Sequence, residues 1–154
     1  MNKILMGPQP LIYPMPMLLV GANIDGKPNF MAVAWCGIAN GEPPMISMSI
    51  RHRRHTLIGI RQNMTFSANI PSTDLVKETD YCGIAAGSKV DKVEVCKFKV
   101  FYGKLENAPL IAVPHQFRMQ GGAYPDLRKS LIYHRQYRGN PRLRELPHRW
   151  KTGR

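Results

Sequence analysis

A chain of 154 residues with 44% hydrophobic content has enough material for one domain with a buried core and too little for two. Its formal net charge of +12 points to nucleic acid, an acidic membrane face or an anionic ligand, depending on where the charge sits. Residues 1–112 carry twelve Lys/Arg against eight Asp/Glu (+4), whereas residues 113–154 carry ten against two (+8), so two thirds of the excess lies in the last quarter.

Cys36, Cys82 and Cys96 form no Cys-x-x-Cys pair and no even set, which argues against a disulfide framework and against a zinc site. Reduced thiols in a cytoplasmic protein are expected. The N-terminal stretch LIYPMPMLLVG is too short to span a bilayer, is broken by Pro14 and Pro16, and lacks a small-residue cleavage pattern. Neither a signal peptide nor a membrane-spanning helix is expected.

The first apolar runs, Met17 to Ala22 and Phe30 to Cys36, flank NIDGKPN, whose Asp-Gly pair is hairpin-turn chemistry. After the turn NGEPP, MISMSI alternates Ile46, Met48 and Ile50 against Met45, Ser47 and Ser49, the period of two of a half-buried strand. A helix is expected from about Thr56 to Gln62, with Thr56 able to cap it and LIGIRQ supplying a short apolar stripe. TFSANI alternates like a strand. VEVCKFKVFYG sets Glu94, Cys96, Phe98, Val100 and Tyr102 on one face of a further strand. Strands at this spacing with one or two short helices predict a mainly β domain, a barrel or a sandwich.

Residues 47–56, SMSIRHRRHT, place three Arg and two His between a strand end and the helix start. Helix-terminal N–H groups give oriented donors and arginine gives a fork that matches phosphate oxygens, so the arrangement suits a phosphate. A solvated basic turn fits the same residues. His52 and His55 lack nearby carboxylate or cysteine partners, so no metal site is expected. Asn29 and Trp35 offer an amide and a flat indole to a planar ligand, and equally fit a turn-forming Asn and a core Trp. AAGSKVDKVE brings Ser88, Asp91 and Lys92 to the start of the next strand. No Ser-His-Asp triad, phosphate-binding loop or dinucleotide fingerprint is present, which leaves acyl transfer and nucleotide hydrolysis without support.

Taken together, GKPNFMAVAWCGIANGEPPMISMSIRHRRHTLIGIRQNMTFSANIPS and TDYCGIAAGSKVDKVE resemble the flavin reductase-like, FMN-binding split-barrel family, and within it the flavoredoxin type, over about residues 10–112. The resemblance implies a Greek-key split β-barrel that forms a homodimer and binds FMN noncovalently near the subunit interface. It implies electron or hydride transfer at the flavin, with NAD(P)H as a candidate donor and a small-molecule or protein redox partner. It assigns Asn29 and Trp35 to flavin contact, Ser49, Ile50 and Arg51 to the ribityl and phosphate region, Thr56 to a cap beside the phosphate, and Lys92 to a reach toward FMN from its strand. No catalytic residue and no metal ligand is assigned, and no nucleic-acid or membrane partner is expected.

After about residue 112 the family pattern, the periodicity and the charge balance all change together. A change of reading frame near that point accounts for the three at once, because permissible codons for the tail, read one base later, yield acid-containing segments similar to the family's last strands. The barrel is then incomplete over residues 1–112, its last strands missing, and residues 113–154 are an out-of-frame, disordered tail rich in Arg, Pro and Gly. Weak or absent FMN binding follows. The competing class is a basic nucleic-acid-binding module, resting on the tail charge, on RHRRH and on Tyr133, Tyr137 and Trp150, with no recognised binding pattern beside them.

Overall fold

The computed structural model describes residues 4–5, 7–10, 12–42, 44–113, 115–120 and 131–134, the last two segments as backbone strands. It is mainly β with a few short helices. The chain opens with the hairpin β1 (Leu18–Ile24) and β2 (Lys27–Val33). Ile24 pairs with Lys27, leaving Asp25 and Gly26 as a two-residue turn. Both have positive φ, 49° and 79°, the conformation that the expected Asp-Gly chemistry supplies. β3 (Cys36–Asn40) and β4 (Met45–Met48) follow, then helix α1 (Thr56–Asn63), β5 (Thr65–Ile70), a short 3-10 turn at Thr73–Leu75, and α2 (Val76–Ile84). The four-residue helix α3 (Lys92–Val95) leads to the two-residue strands β6 (Val100–Phe101) and β7 (Leu110–Ile111). β8 (His115–Gln120) and β9 (Leu131–His134) close the described chain.

These strands make a four-stranded sheet in the order β2-β1-β5-β8, a three-stranded sheet β3-β4-β9 and the ribbon β6-β7, with antiparallel pairing throughout. β1 is buried along its whole length because it packs on both faces. Leu18, Val20 and Ala22 join Met31, Val33, Met48, Ile50, Leu57, Ile60, Phe66 and Ala68 in one cluster, between the sheets and α1. On the opposite face Leu19 meets Phe30, Cys82 and Ile111, with Val93, Cys96 and Phe98 against them. Phe30 and Phe98 stack edge to face at 5.5 Å. Asn69, fully buried in β5, donates to Leu19 O (2.9 Å) and accepts from Ile111 N (3.2 Å), which ties β7 across β5 to β1.

Three expectations change. The strand expected over VEVCKFKVFYG forms only at Val100–Phe101, and the residues before it are a helix followed by a turn. Asp91 accepts from Val93 N (2.9 Å) and Glu94 N (3.1 Å), a side-chain cap that starts α3, and Lys97 turns the chain at φ 52°. Helix α2 had no counterpart in the expected elements, since only Thr79 and Cys82 of its nine residues are buried and its apolar stripe is weak. The tail was expected to lack strands, yet β8 pairs with β5 and β9 with β4. Exposed strand edges present rows of N–H and C=O groups that any extended segment can satisfy, so backbone pairing needs no side-chain alternation there. Residues 121–130 and 135–154, with Tyr137 and Trp150, lie outside the described residues.

Helix α1 lies directly on the hairpin. A Cβ at Gly59 would sit 2.1 Å from Asn23 O, a backbone atom that cannot swing away, and Asn63 Nδ2 donates to that same oxygen at 2.8 Å. Gly59→Ala is therefore expected to destabilise the fold by about 2–3 kcal/mol, the range of core overpacking. A thermal melt of the variant checks this, and an unchanged midpoint would show that α1 is not seated on Asn23.

Candidate functional site

The basic loop is short because both its ends are fixed. Ser49 N donates to Trp35 O at 2.8 Å, so the chain leaving β4 is pinned beside the residue that precedes β3. Ile50 then drops its side chain into the core at 2% exposure. Arg51, Arg53 and Arg54 are exposed between that anchor and the helix start. Arg54 N donates to Arg51 O (3.0 Å), closing a turn, and Arg54 Nη1 donates to Gly83 O (3.3 Å) at the end of α2. Arg61 Nη2 lies 3.0 Å from His52 Nδ1, which ties the loop to the last turn of α1 as well.

The helix start differs from expectation in two ways. Thr56 does not cap α1: it is the first helical residue, 1% exposed, and His55 occupies the cap position in a helical conformation with no side-chain cap bond. The Thr56 hydroxyl is needed elsewhere, accepting from Asn29 Nδ2 at 2.7 Å. Leu57 N and Ile58 N are also engaged, donating to Arg54 O (3.1 Å) and His55 O (3.0 Å). An anion at this loop would therefore meet guanidinium groups rather than those two amides.

Asn29 and Lys92 form a second layer behind the loop. Asn29, 7% exposed in β2, is pressed by Gly87, where a Cβ would lie 2.4 Å from Oδ1. Lys92 does not start a strand and does not extend into solvent. At 4% exposure, its Nζ donates to Phe30 O (3.0 Å) and Cys82 O (2.8 Å), joining β2 to the C-terminal turn of α2. Lys92 and Arg54 thus each bind a carbonyl at the end of α2, where helix carbonyls lack partners and cations are favoured. Burial pushes the Lys92 pKa below its usual value, and the Arg54 charge pushes the same way.

The structure brings Trp35 next to Ser49, Asn29 onto Thr56, and Lys92 against the residue that follows Asn29. It sends the Ile50 side chain into the core and leaves Arg51 exposed. Trp35 is 46% exposed, so it is not a core indole. Gly87 and Arg54 are the residues that sequence reasoning missed. The Gly in AAGSK was a visible signal, whereas nothing in RHRRH separates Arg54 from its neighbours. Among the described residues, no group of three His, Cys, Asp or Glu could hold a metal ion, and no helix is long and apolar enough to cross a membrane.

A family model described as a flavin reductase-like domain matches residues 11–115. A flavoredoxin from Methanosarcina acetivorans is 37% identical, with a TM-score of 0.77 over 86% of this chain and 71% of its own. The flavoredoxin of Desulfovibrio vulgaris (Miyazaki F) is 31% identical, with a TM-score of 0.80 over 86% and 73%. An FMN-binding protein from Thermus thermophilus shares the fold at 19% identity, with a TM-score of 0.72 over 87% of this chain and 76% of its own. An uncharacterised Archaeoglobus fulgidus protein is 26% identical over 100 residues, 65% of this chain. The chain spans 56% of the length of that curated relative and 39% of a second, from Aeropyrum pernix.

Two predictions test the buried layer. Thr56→Val leaves the Asn29 amide without its hydroxyl acceptor and should cost about 1–3 kcal/mol in denaturant unfolding, the penalty of an orphaned buried donor; a smaller change would mean that the bond is incidental. The second concerns pH. Burial pushes the Cys82 thiol from 9.0 up to about 12, so the unfolded chain releases that proton first and stability falls as pH rises through this window. Lys92, lowered from 10.5, acts with the opposite sign but contributes no further change once its unfolded form has titrated. Above pH 10.5 the fall should dominate, and Cys82→Ser should flatten it in pH-dependent melts.

Proposed function

Since the chain belongs to the flavin reductase-like family and folds as a split β-barrel of that kind, we propose that it is an FMN-binding flavoprotein acting in electron or hydride transfer. The observation that carries this reading is the backbone bond from Ser49 N to Trp35 O, which ties the residue bearing a half-exposed indole to the strand end that leads into three exposed arginines. A flat aromatic at one end and a cluster of guanidinium groups at the other match a ligand with a ring system and a phosphate. The two flavoredoxin likenesses support the same cofactor class.

The residues fit the group in distinct ways. Arg51 and Arg53 hold the phosphate dianion, and Arg54, bonded to Gly83 O, fixes the loop that presents them. Trp35 contacts the flavin ring. Ser49 faces the ribityl chain, and Ile50 contributes only backbone because its side chain is in the core. Asn29 and Thr56, bonded to each other, are positioning residues behind the loop. Lys92 adds positive potential from within rather than a direct contact, its amine being committed to two carbonyls. Bound FMN supplies the redox chemistry at its isoalloxazine ring, so the protein needs no general acid or base of its own.

The protein works in the cytoplasm with NADH or NADPH, or a protein partner, as electron donor. A second copy of the chain covers β3, where Ile38 is 88% exposed. The tail is out of frame: the family match ends at residue 115, close to where charge and periodicity change, and this supports a shift near residue 112. FMN affinity is reduced as a result. Independent reads of the coding DNA test that part, and an intact frame with no family-like +1 reading would refute it.

Arg51→Ala should weaken FMN binding about tenfold, equivalent to about 1.4 kcal/mol for one charge-assisted phosphate contact. Flavin fluorescence titration measures this, and an unchanged affinity would remove the loop from the site. Stopped-flow reduction of the FMN-loaded protein by NADH and by NADPH separates a flavin reductase from an electron carrier: bleaching of the flavin within seconds is expected for the reductase and none for the carrier.

A further inference from the structure

Two thiols that take no part in the flavin site, Cys82 and Cys96, meet where α2 passes the end of α3. Cys82 is 1% exposed in the last turn of α2, and Cys96 follows α3, partly buried against the same apolar cluster. Cys96 Sγ lies 4.0 Å from Glu78 O, the carbonyl one helical turn before Cys82. Both thiols are free and belong to the same cluster, with Cys96 reaching the carbonyl one turn before Cys82. Cys36 lies apart, packed on the other cluster with its thiol toward Pro16 O. The charged groups facing the pair are Glu78 and Lys92, of opposite sign.

We propose that Cys82 and Cys96 form a reversible intramolecular disulfide, a redox modification site that locks residues 83–95 onto β2. That segment carries Gly87, against Asn29, and Lys92, bonded to Phe30 O and Cys82 O. Closing it would hold the buried layer behind the basic loop in place. The oxidant is a peroxide. Cys96, the more accessible sulfur, attacks as thiolate, the peroxide O–O bond breaks, and a sulfenic acid and hydroxide result. Cys82 sulfur then attacks Cys96 sulfur, the S–O bond breaks, and the hydroxyl leaves with the Cys82 proton as water. Two thiols lose two electrons, the peroxide gains them, and two waters form. A dithiol reductant reverses the change by thiol–disulfide exchange. Cys96 attacks first because it is the less buried of the two sulfurs; burial raises the pKa of both thiols and pushes Cys82 up to about 12.

The inference is independent of the flavin reading, because alkylation reports the thiols whether or not the chain holds a cofactor. The full chain is treated with hydrogen peroxide, alkylated and analysed by intact mass and peptide mapping. The expected result is protection of two of the three cysteines, a mass lower by two hydrogens, a Cys82–Cys96 linked peptide, and full reversal by dithiothreitol. The melting midpoint should rise by roughly 5 °C, as closing a loop of this length constrains the unfolded chain. Cys36→Ser should leave every readout unchanged, and Cys96→Ser should abolish the protection and the rise. If Cys96→Ser fails to fold, the peptide map of the unsubstituted chain decides. Three alkylatable thiols after oxidation, a Cys36-linked species, or progression of Cys96 to sulfinic acid with Cys82 still free would each overturn the proposal.

Discussion

The hydrogen bond from the Asn29 amide to the Thr56 hydroxyl sets the position of nearly everything around the basic loop. Both groups are buried, so each would carry a desolvation cost without the other. Satisfying them fixes the first residue of α1 against β2, and a side chain at Gly87 would collide with the amide. The other end of the loop is set by Ser49 N on Trp35 O. With both ends held, Arg51, Arg53 and Arg54 are left exposed between them, and the Trp35 backbone stays next to Ser49. The electrostatic character of the site is thus a consequence of two local bonds rather than of net charge.

A second constraint lies beneath the first. Lys92 is a buried amine held by Phe30 O and Cys82 O, with no carboxylate bonded to it among the described residues. Helix carbonyls near a C-terminus carry partial negative charge, so the amine keeps much of its solvation in another form. Arg54 does the same for Gly83 O from the solvent side. The end of α2 therefore collects two cations, one on each side of the layer that supports the loop. The thiols of Cys82 and Cys96 sit beside this junction, which is why a covalent link there would bear on the whole buried layer.

Much of the barrel was legible in the sequence. The Asp-Gly turn, the alternation of MISMSI and the run TFSANI each gave a strand within a few residues of its observed limits, because local chemistry and tertiary packing agree there. VEVCKFKVFYG is a strand only at Val100–Phe101 because its earlier apolar residues serve other elements: Val93 and Phe98 both pack on the inner cluster, one from a helix and one from the turn after it. Periodicity could not detect the Asp91 cap that divides them. The site was legible as a set of residue types and not as a set of contacts. Arg51 and Trp35 are exposed, while Thr56, Ile50 and Lys92 direct their side chains inward for structural reasons that a linear pattern does not contain.

The account rests on phosphate recognition by the loop between β4 and α1, and comparison of FMN with riboflavin in equilibrium titrations of the purified chain tests it most directly. The two ligands share the ring and the ribityl chain and differ in the phosphate. The account predicts that FMN binds at least about tenfold more tightly than riboflavin and that this difference shrinks with added salt. Equal affinity for the two would contradict it.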